Sequence, residues 1–329
     1  MSPEAAVPTR KLFFREAIAR ALREEMRRDA GVIVLGQDVG PFGGSYKEFV
    51  GLYDEFGPAR VRNTPVAEAC MIGLGVGAAA AGMRPLVSIT YMDFLMLGLD
   101  PLVNYAAKAR YKTGGQIEVP VVVKTTAGAK GQGVAHSQCI EAWLMGVPGL
   151  KVVAPSTPAD AYGLLKSALR ETGPVVFIDH KRLFPTAGEV PVGEETVPIG
   201  QAIVRRRGAH VTIVTHSYMT CVAEAAADRV AAEGIDCEIV DLRTLKPLDM
   251  ATVCQSLART RALVTLEEGQ LAAGVGAEVA FRARESVEPL RVARVGPLEA
   301  PVSSNPVLES ACLPDAERLA QTIRRMLTA

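Results

Sequence analysis

Two stretches combine residues able to do acid–base chemistry with surroundings that would hold them still. The first is Arg62-Asn63-Thr64-Pro65-Val66-Ala67-Glu68, which sets one acid at the mouth of the small-sided apolar run Ala69 to Gly82. A first-turn glutamate complements the helix dipole by about 0.3–1 kcal/mol, which accounts for an exposed acid. The run behind Glu68 is apolar on nearly every side and is expected to be interior. A buried carboxylate needs a partner, and no arginine or lysine falls at i+3 or i+4. A ligand is the alternative partner. The second stretch is His136-Ser137-Gln138, delivered by the glycine-rich loop Ala127 to Gly133 to the head of a helix that Ser137 and Gln138 can cap. Loops at strand ends are favoured positions for function. The other histidines, His180, His210 and His216, lie at strand ends or beside basic residues, with no acid nearby to orient them. They read as structural.

The elements that position these residues follow from periodicity. Residues 11–29 space Leu12, Phe13, Ile18, Leu22 and Met26 as an amphipathic helix. Val32 to Leu35 is a short apolar run of the buried parallel-strand kind, followed by the loop Gln37-Asp38-Val39-Gly40. Val61 to Asn63 is a second strand, and Thr64 with Pro65 should open the helix carrying Glu68. Gly73, Gly75 and Gly77 inside that helix mimic a dinucleotide fingerprint, whose first glycine belongs in the preceding turn. Close helix packing is their better use. Strands follow at 85–89, 120–124, 152–155 and 175–178, with helices at 99–111 and 159–171 and Asp93-Phe94 just after the strand 85–89.

Residues 184–200 carry prolines, glycines and Glu194-Glu195 without period. Beyond them the alternation restarts, with strands at 211–215, 237–241, 262–266 and 291–295 and helices at 218–233, 249–258, 275–285 and 314–327. The expectation is α/β with largely parallel sheets in two domains, residues 1–185 and 201–329, joined by a linker at 186–200.

Composition narrows the function. With 36 basic and 36 acidic residues in 329, the chain lacks the basic excess of a nucleic-acid-binding surface. Six cysteines without a CxxC pair read as reduced and mostly buried, as in a cytoplasmic protein. Met1 to Arg10 lacks a signal-like apolar stretch, and no apolar run is long enough to cross a membrane.

Thr64-Pro-Val-Ala-Glu68, Asp93-Phe94, His136-Ser-Gln138 and Pro148-Gly-Leu-Lys-Val-Val153 together resemble a known family, as do Asp241-Leu-Arg-Thr-Leu-Lys-Pro-Leu-Asp249 and Glu267-Glu-Gly269…Gly274-Val-Gly-Ala-Glu278. It is the β subunit of the thiamine-diphosphate-dependent 2-oxo acid dehydrogenases, which act on pyruvate, branched-chain 2-oxo acids or acetoin. The resemblance runs from about residue 11 to the end. It implies a pyrimidine-binding, transketolase-like domain followed by a transketolase C-terminal-like domain. It also implies that Glu68 hydrogen-bonds the aminopyrimidine ring nitrogen of the cofactor and favours its imino tautomer. Phe94 would stack on that ring, Gln37 would contact the cofactor, and His136 would handle protons or assist transfer to the lipoyl group. A potassium ion is implied at Val121, Ala168, Leu169, Glu171 and Gly173, where Glu171 replaces the commoner aspartate.

The magnesium-binding Gly-Asp-Gly motif of such enzymes does not occur in the sequence. The resemblance places it on an α subunit, in a heterotetramer of two α and two β chains that serves a lipoyl-bearing dihydrolipoamide acyltransferase core. Gln37, Gln270 and Pro301-Val-Ser-Ser-Asn-Pro306 depart from the usual pattern and bear on substrate and partner. Pyruvate is the first substrate expectation. Asp179-His180-Lys181 and Pro155-Ser-Thr-Pro158 lean towards acetoin-type relatives. Transketolase-like ketol transfer, which would need a phosphate-binding arginine and histidine cluster, and a non-enzymatic docking scaffold are the competing readings.

Overall fold

A computed structural model describes residues 8–328. The reading of Met1 to Arg10 therefore lies mostly outside the described residues. Fourteen strands are described: β1 Thr9–Phe13, β2 Val32–Gly36, β3 Val61–Asn63, β4 Arg84–Ile89, β5 Val122–Ala127, β6 Lys151–Val153, β7 Val175–His180 and β8 Ala187–Pro191, then β9 Ile203–Arg206, β10 Val211–Thr215, β11 Cys237–Asp241, β12 Thr244–Lys246, β13 Ala262–Leu266 and β14 Arg291–Val295. They form a seven-stranded sheet in the order β12-β6-β7-β5-β4-β2-β3, a five-stranded sheet in the order β14-β13-β10-β11-β9, and the pair β1-β8. Strands β2, β5, β7, β10, β11 and β13 are buried throughout their length. Helices on both faces produce that pattern in parallel sheets.

The two halves are not beads on a string. Strand β12, from the second half of the chain, pairs antiparallel with β6 at the edge of the first sheet. One apolar cluster runs from Ile33 and Val87 through Leu242 and Leu245 to Val214 and Val240. A buried ion-pair network reinforces the junction: Arg205 reaches Asp160 and, at 2.9 Å, Asp241, while Arg243 meets Asp160 at 3.3 Å. Among the described residues no helix is long and apolar enough to cross a membrane.

Several local expectations are corrected. Leu12 and Phe13 belong to β1, and the helix begins at Phe14. The partner of β1 is β8, inside the segment read as period-free. The helix expected from Thr64 begins at Glu68, because Thr64 N–H donates to Gly36 O and prolongs the β3–β2 pairing. Proline at 65 also keeps Thr64 extended. Ser137 and Gln138 do not cap the next helix, Glu141–Met145, whose cap position is Ile140. Of the six cysteines, all free, Cys70 and Cys221 are exposed and only Cys237 and Cys312 are buried.

The helix Glu68–Ala80 is half open. Met71, Ile72, Gly75 and Ala79 face the sheet, whereas Ala69, Cys70, Leu74 (54% exposed), Gly77 and Ala80 face outward. Only Gly75 is a packing glycine: a Cβ there would run into Val87 Cγ2, while one at Gly73 or Gly77 would meet nothing within 4 Å. Gly75→Ala should therefore cost about 1–3 kcal/mol through overpacking. Gly77→Ala should be neutral or stabilise by up to about 1 kcal/mol, through helix propensity. Urea unfolding midpoints of the isolated chain test both; equal effects would contradict this packing.

Candidate active site

Strands β3, β2, β4 and β5 lie side by side and all parallel. Their carboxyl ends therefore open on one edge, where ligands sit in open α/β sheets. Each of the four ends leads into one residue singled out from the sequence. After β3 comes Glu68, after β2 Gln37, after β4 Phe94 and after β5 His136.

These ends are tied together by hydrogen bonds. Gly40 N–H donates to Asn63 Oδ1 at 2.7 Å, joining the Gln37 loop to the end of β3. Gln138 N–H donates to Asp93 Oδ1 at 3.2 Å, joining the His136 loop to the short helix Met92–Leu95 that carries Phe94. Gly98, just beyond that helix, packs against the first turn of Glu68–Ala80. A Cβ at Gly98 would collide with Ile72 and lie 3.3 Å from Glu68 O.

Glu68 is 8% exposed and starts its helix. Its carboxylate makes no hydrogen bond or ion pair among the described residues. The buried polar atoms Thr64 Oγ1, Asp93 Oδ2 and Ser137 Oγ, near these strand ends, lack a protein partner. The His136 imidazole stands edge-on to Phe94, with ring centres 5.2 Å apart, and edge-on to Tyr91 at 5.1 Å. Gln37 is exposed at the rim.

Sequence reasoning missed the groups that hold this edge. Lys181, fully buried, donates from Nζ to His136 O, and its ammonium lies 4.5 Å from the centre of the Tyr91 ring. Burial lowers the Lys181 pKa, opposed chiefly by the charge of Asp93. Beneath, Lys124 pairs with Asp179 at 2.6 Å and Glu48 at 3.2 Å, all three buried. Burial raises the carboxyl of Asp179 despite that lysine. A lysine inside an apolar strand run, as at Lys124, was the one sequence sign of this triad.

His180 and His216 do have acids to orient them, contrary to the sequence reading, and each acid comes from the other half of the chain. His216 Nε2 lies 3.0 Å from Glu141 Oε1, and His180 Nε2 lies 3.0 Å from Glu268 Oε2. All four side chains are buried. No local spacing could reveal pairs this far apart in the chain. Next to them a cleft of about 560 Å³ opens between Gln138, Trp143, Glu267, Gln270 and Pro301. Two of the positions that depart from the family pattern, Gln270 and Pro301, are on its wall.

The expected potassium positions gather where the helix Pro158–Arg170 ends, but at four of the five, Val121, Ala168, Leu169 and Glu171, the backbone oxygen already accepts a hydrogen bond. Arg84 Nη1 donates to Leu169 O at 3.0 Å and Glu171 O at 2.8 Å. Val121 O accepts from Val175 N–H and Ala168 O from Glu171 N–H. The Glu171 carboxylate pairs with Lys151 at 2.6 Å. With a guanidinium at two of the carbonyls, the set does not fit an all-oxygen cation cage.

The fold and this edge define a class, that of thiamine-diphosphate enzymes built like transketolase. The family model for the transketolase pyrimidine-binding domain matches residues 10–186, and that for the transketolase C-terminal domain matches residues 200–319. Among solved structures, a split-gene transketolase described as an inactive β4 tetramer superposes with TM-score 0.77 at 25% identity, covering 96% of this chain and 98% of that one. Transketolase from Leishmania mexicana shares the fold, with TM-score 0.74 at 19% identity, over 98% of this chain and 47% of that one.

Sequence relatives narrow the class. A mitochondrial pyruvate dehydrogenase E1 component subunit beta-1 from Arabidopsis thaliana is 42% identical, covering 97% of this chain and 90% of its own length. The β subunit of the pyruvate dehydrogenase E1 component from Rickettsia conorii is 41% identical, over 95% and 97%. The β subunit of an acetoin:2,6-dichlorophenolindophenol oxidoreductase from Cupriavidus necator is 40% identical, over 97% and 98%. The chain belongs to the β subunits of the thiamine-diphosphate-dependent 2-oxo acid dehydrogenases, the oxidoreductase family that the motifs resemble.

The two histidine–glutamate pairs make the junction of the halves sensitive to pH. Burial alone would lower the His216 pKa, but the hydrogen bond and charge of Glu141 raise it above its ordinary value. Its contribution is full below the unfolded value of about 6.5 and fades as pH rises through the raised folded value. Burial alone would raise Glu268, yet His180 brings it below the ordinary carboxylate value. Its contribution is present above about pH 4.5 and lost as pH falls further. His216→Gln should flatten the fall in Tm as pH rises above about 6.5, read by calorimetry. An unchanged slope would refute the assignment.

Proposed function

We propose that this chain supplies the aminopyrimidine half of a thiamine diphosphate site completed by a separate α chain, in an assembly of two α and two β chains. The observation that carries this is Glu68: a residue only 8% exposed whose carboxylate has no protein partner and stays accessible at the carboxyl edge of the sheet. A ligand bound over that edge would cover the carboxylate, which then needs a partner, and a cofactor ring nitrogen would supply one. The buried unpartnered atoms on Thr64, Asp93 and Ser137 lie within four residues of Glu68, Phe94 and His136 respectively and fit a polar group brought to this edge.

Thiamine diphosphate, when bound, supplies the nucleophilic carbon and the electron sink for decarboxylation. Glu68 holds a proton against the aminopyrimidine ring nitrogen. Phe94 offers its ring face to the same heterocycle, and Gln37 lies at the rim, where it can donate or accept without titrating. His136, between Tyr91 and Phe94, is placed to exchange a proton with the acyl group on its way to a lipoyl group. Lys181 fixes the His136 backbone through its carbonyl.

Magnesium, which would hold the diphosphate, is assigned to the α chain because this sequence has no Gly-Asp-Gly. Potassium has no part in this scheme. The acceptor is a lipoyl group on a dihydrolipoamide acyltransferase core. Pyruvate is the preferred substrate, on the relatives from Arabidopsis and Rickettsia. Acetoin is the second reading, favoured by the near-equal identity to the Cupriavidus subunit over almost the whole chain. The unpaired cysteines fit a reducing compartment such as the cytoplasm.

Glu68→Gln keeps the volume and removes the titrating group. In the α/β assembly it should lower turnover of pyruvate by about 10²–10⁴-fold, with the assembly intact by size-exclusion chromatography. Unchanged turnover would contradict the role of Glu68.

A further inference from the structure

The loop 128–135 that leads to His136 is held by carboxylates from the opposite half of the chain. Glu268 uses both oxygens: Oε1 accepts from Ala129 N–H at 2.8 Å, and Oε2 faces His180 Nε2 at 3.0 Å. The His180 Nδ1 accepts from Arg182 N–H at 3.1 Å, which leaves Nε2 as the protonated nitrogen that donates to Glu268. That imidazole stacks on Tyr218, with ring centres 5.0 Å apart. It also occupies the space a Cβ at residue 128 would need; Gly128, with φ +87°, has none.

Two residues on, Glu309 Oε2 accepts from Gly131 N–H at 2.6 Å. Its Oε1 pairs with Arg182 at 3.0 Å, and Arg182 Nε in turn donates to Ala129 O at 2.9 Å. Glu268 and Glu309 are themselves buried, so these are charge-assisted bonds shielded from water. Lys130, between the two anchored residues, is exposed. Gly133 completes the seat by packing on Ser304, where a Cβ would come within 3.2 Å.

We propose that Glu268 and Glu309 are positioning residues that clamp the loop backbone on either side of Lys130 and so deliver His136 to its place between Tyr91 and Phe94. The proposal rests on the reading that His136 serves the reaction. It makes the seating of the second half of the chain a condition for an ordered site in the first. Neither carboxylate is among the residues assigned to the cofactor; the clamp acts on His136 through the loop backbone.

The test uses the full chain bearing Glu268→Gln together with Glu309→Gln, alone and assembled with its α partner. Glutamine keeps the volume, but it sets an amide N–H₂ against His180 Nε2–H or Arg182. Trypsin cleavage after Lys130, followed by mass spectrometry well below Tm, should accelerate by about tenfold or more, as expected for losing charged hydrogen bonds that close a locally opening segment. In the assembly kcat should fall, while the KM for pyruvate and the Kd for thiamine diphosphate stay within about twofold of the parent, since uniform binding is untouched.

Cleavage after Lys130 at the parent rate overturns the clamp. Faster cleavage with unchanged kcat, where His136→Ala abolishes turnover, overturns its role in positioning His136. Faster cleavage with unchanged kcat in both the double variant and His136→Ala overturns the reading of His136 and leaves the clamp standing. Should the double variant not fold, Glu309→Gln alone is read against the same outcomes.

Discussion

Parallel pairing of β3, β2, β4 and β5 is the constraint from which the site follows. Parallel strands put like ends together, so residues far apart in sequence arrive at one edge without any contact designed to bring them there. Glu68, Gln37, Phe94 and His136 share that edge because each follows the end of its own strand, by between one and nine residues. Local ties, Asn63 to Gly40 and Asp93 to Gln138, then fix the loops relative to one another. The second half of the chain adds β12 to the sheet and sends Glu268 and Glu309 into the His136 loop. Fold and site are therefore coupled through the junction of the two halves.

What was legible in the sequence is what depends on local pattern. Apolar runs bounded by glycine and proline marked the buried strands, and amphipathic spacing marked most long helices. An acid at the head of an apolar run and a histidine after a glycine-rich loop marked the edge. The misses share a cause: they depend on partners distant in the chain. Phe13 reads as helix because it sits in step with the helix that follows, yet β8 draws it into a strand. His180 and His216 look unoriented because Glu268 and Glu141 lie in the other half. The carbonyls near Glu171 look available until Arg84 arrives from β4, two strands away from β7 in the sheet.

The helix Glu68–Ala80 unites the two themes. Its inner face, around Gly75, packs on the sheet, whereas its outer face of alanines, Gly77 and Leu74 is small, apolar and open. Small residues let another backbone approach closely, and an open apolar face beside a carboxylate without a protein partner is what half of a shared site should look like. On the proposed α/β assembly, Glu68 would mark the point where folding within the chain ends and assembly takes over.

The proposed dependence on a second chain is measured most directly by calorimetric titration of thiamine diphosphate with magnesium into this chain alone, its α partner alone, and the two mixed. The account predicts tight, saturable binding for the mixture only, weakened when Glu68 is replaced by alanine. Binding to this chain alone with the affinity of the mixture would contradict it.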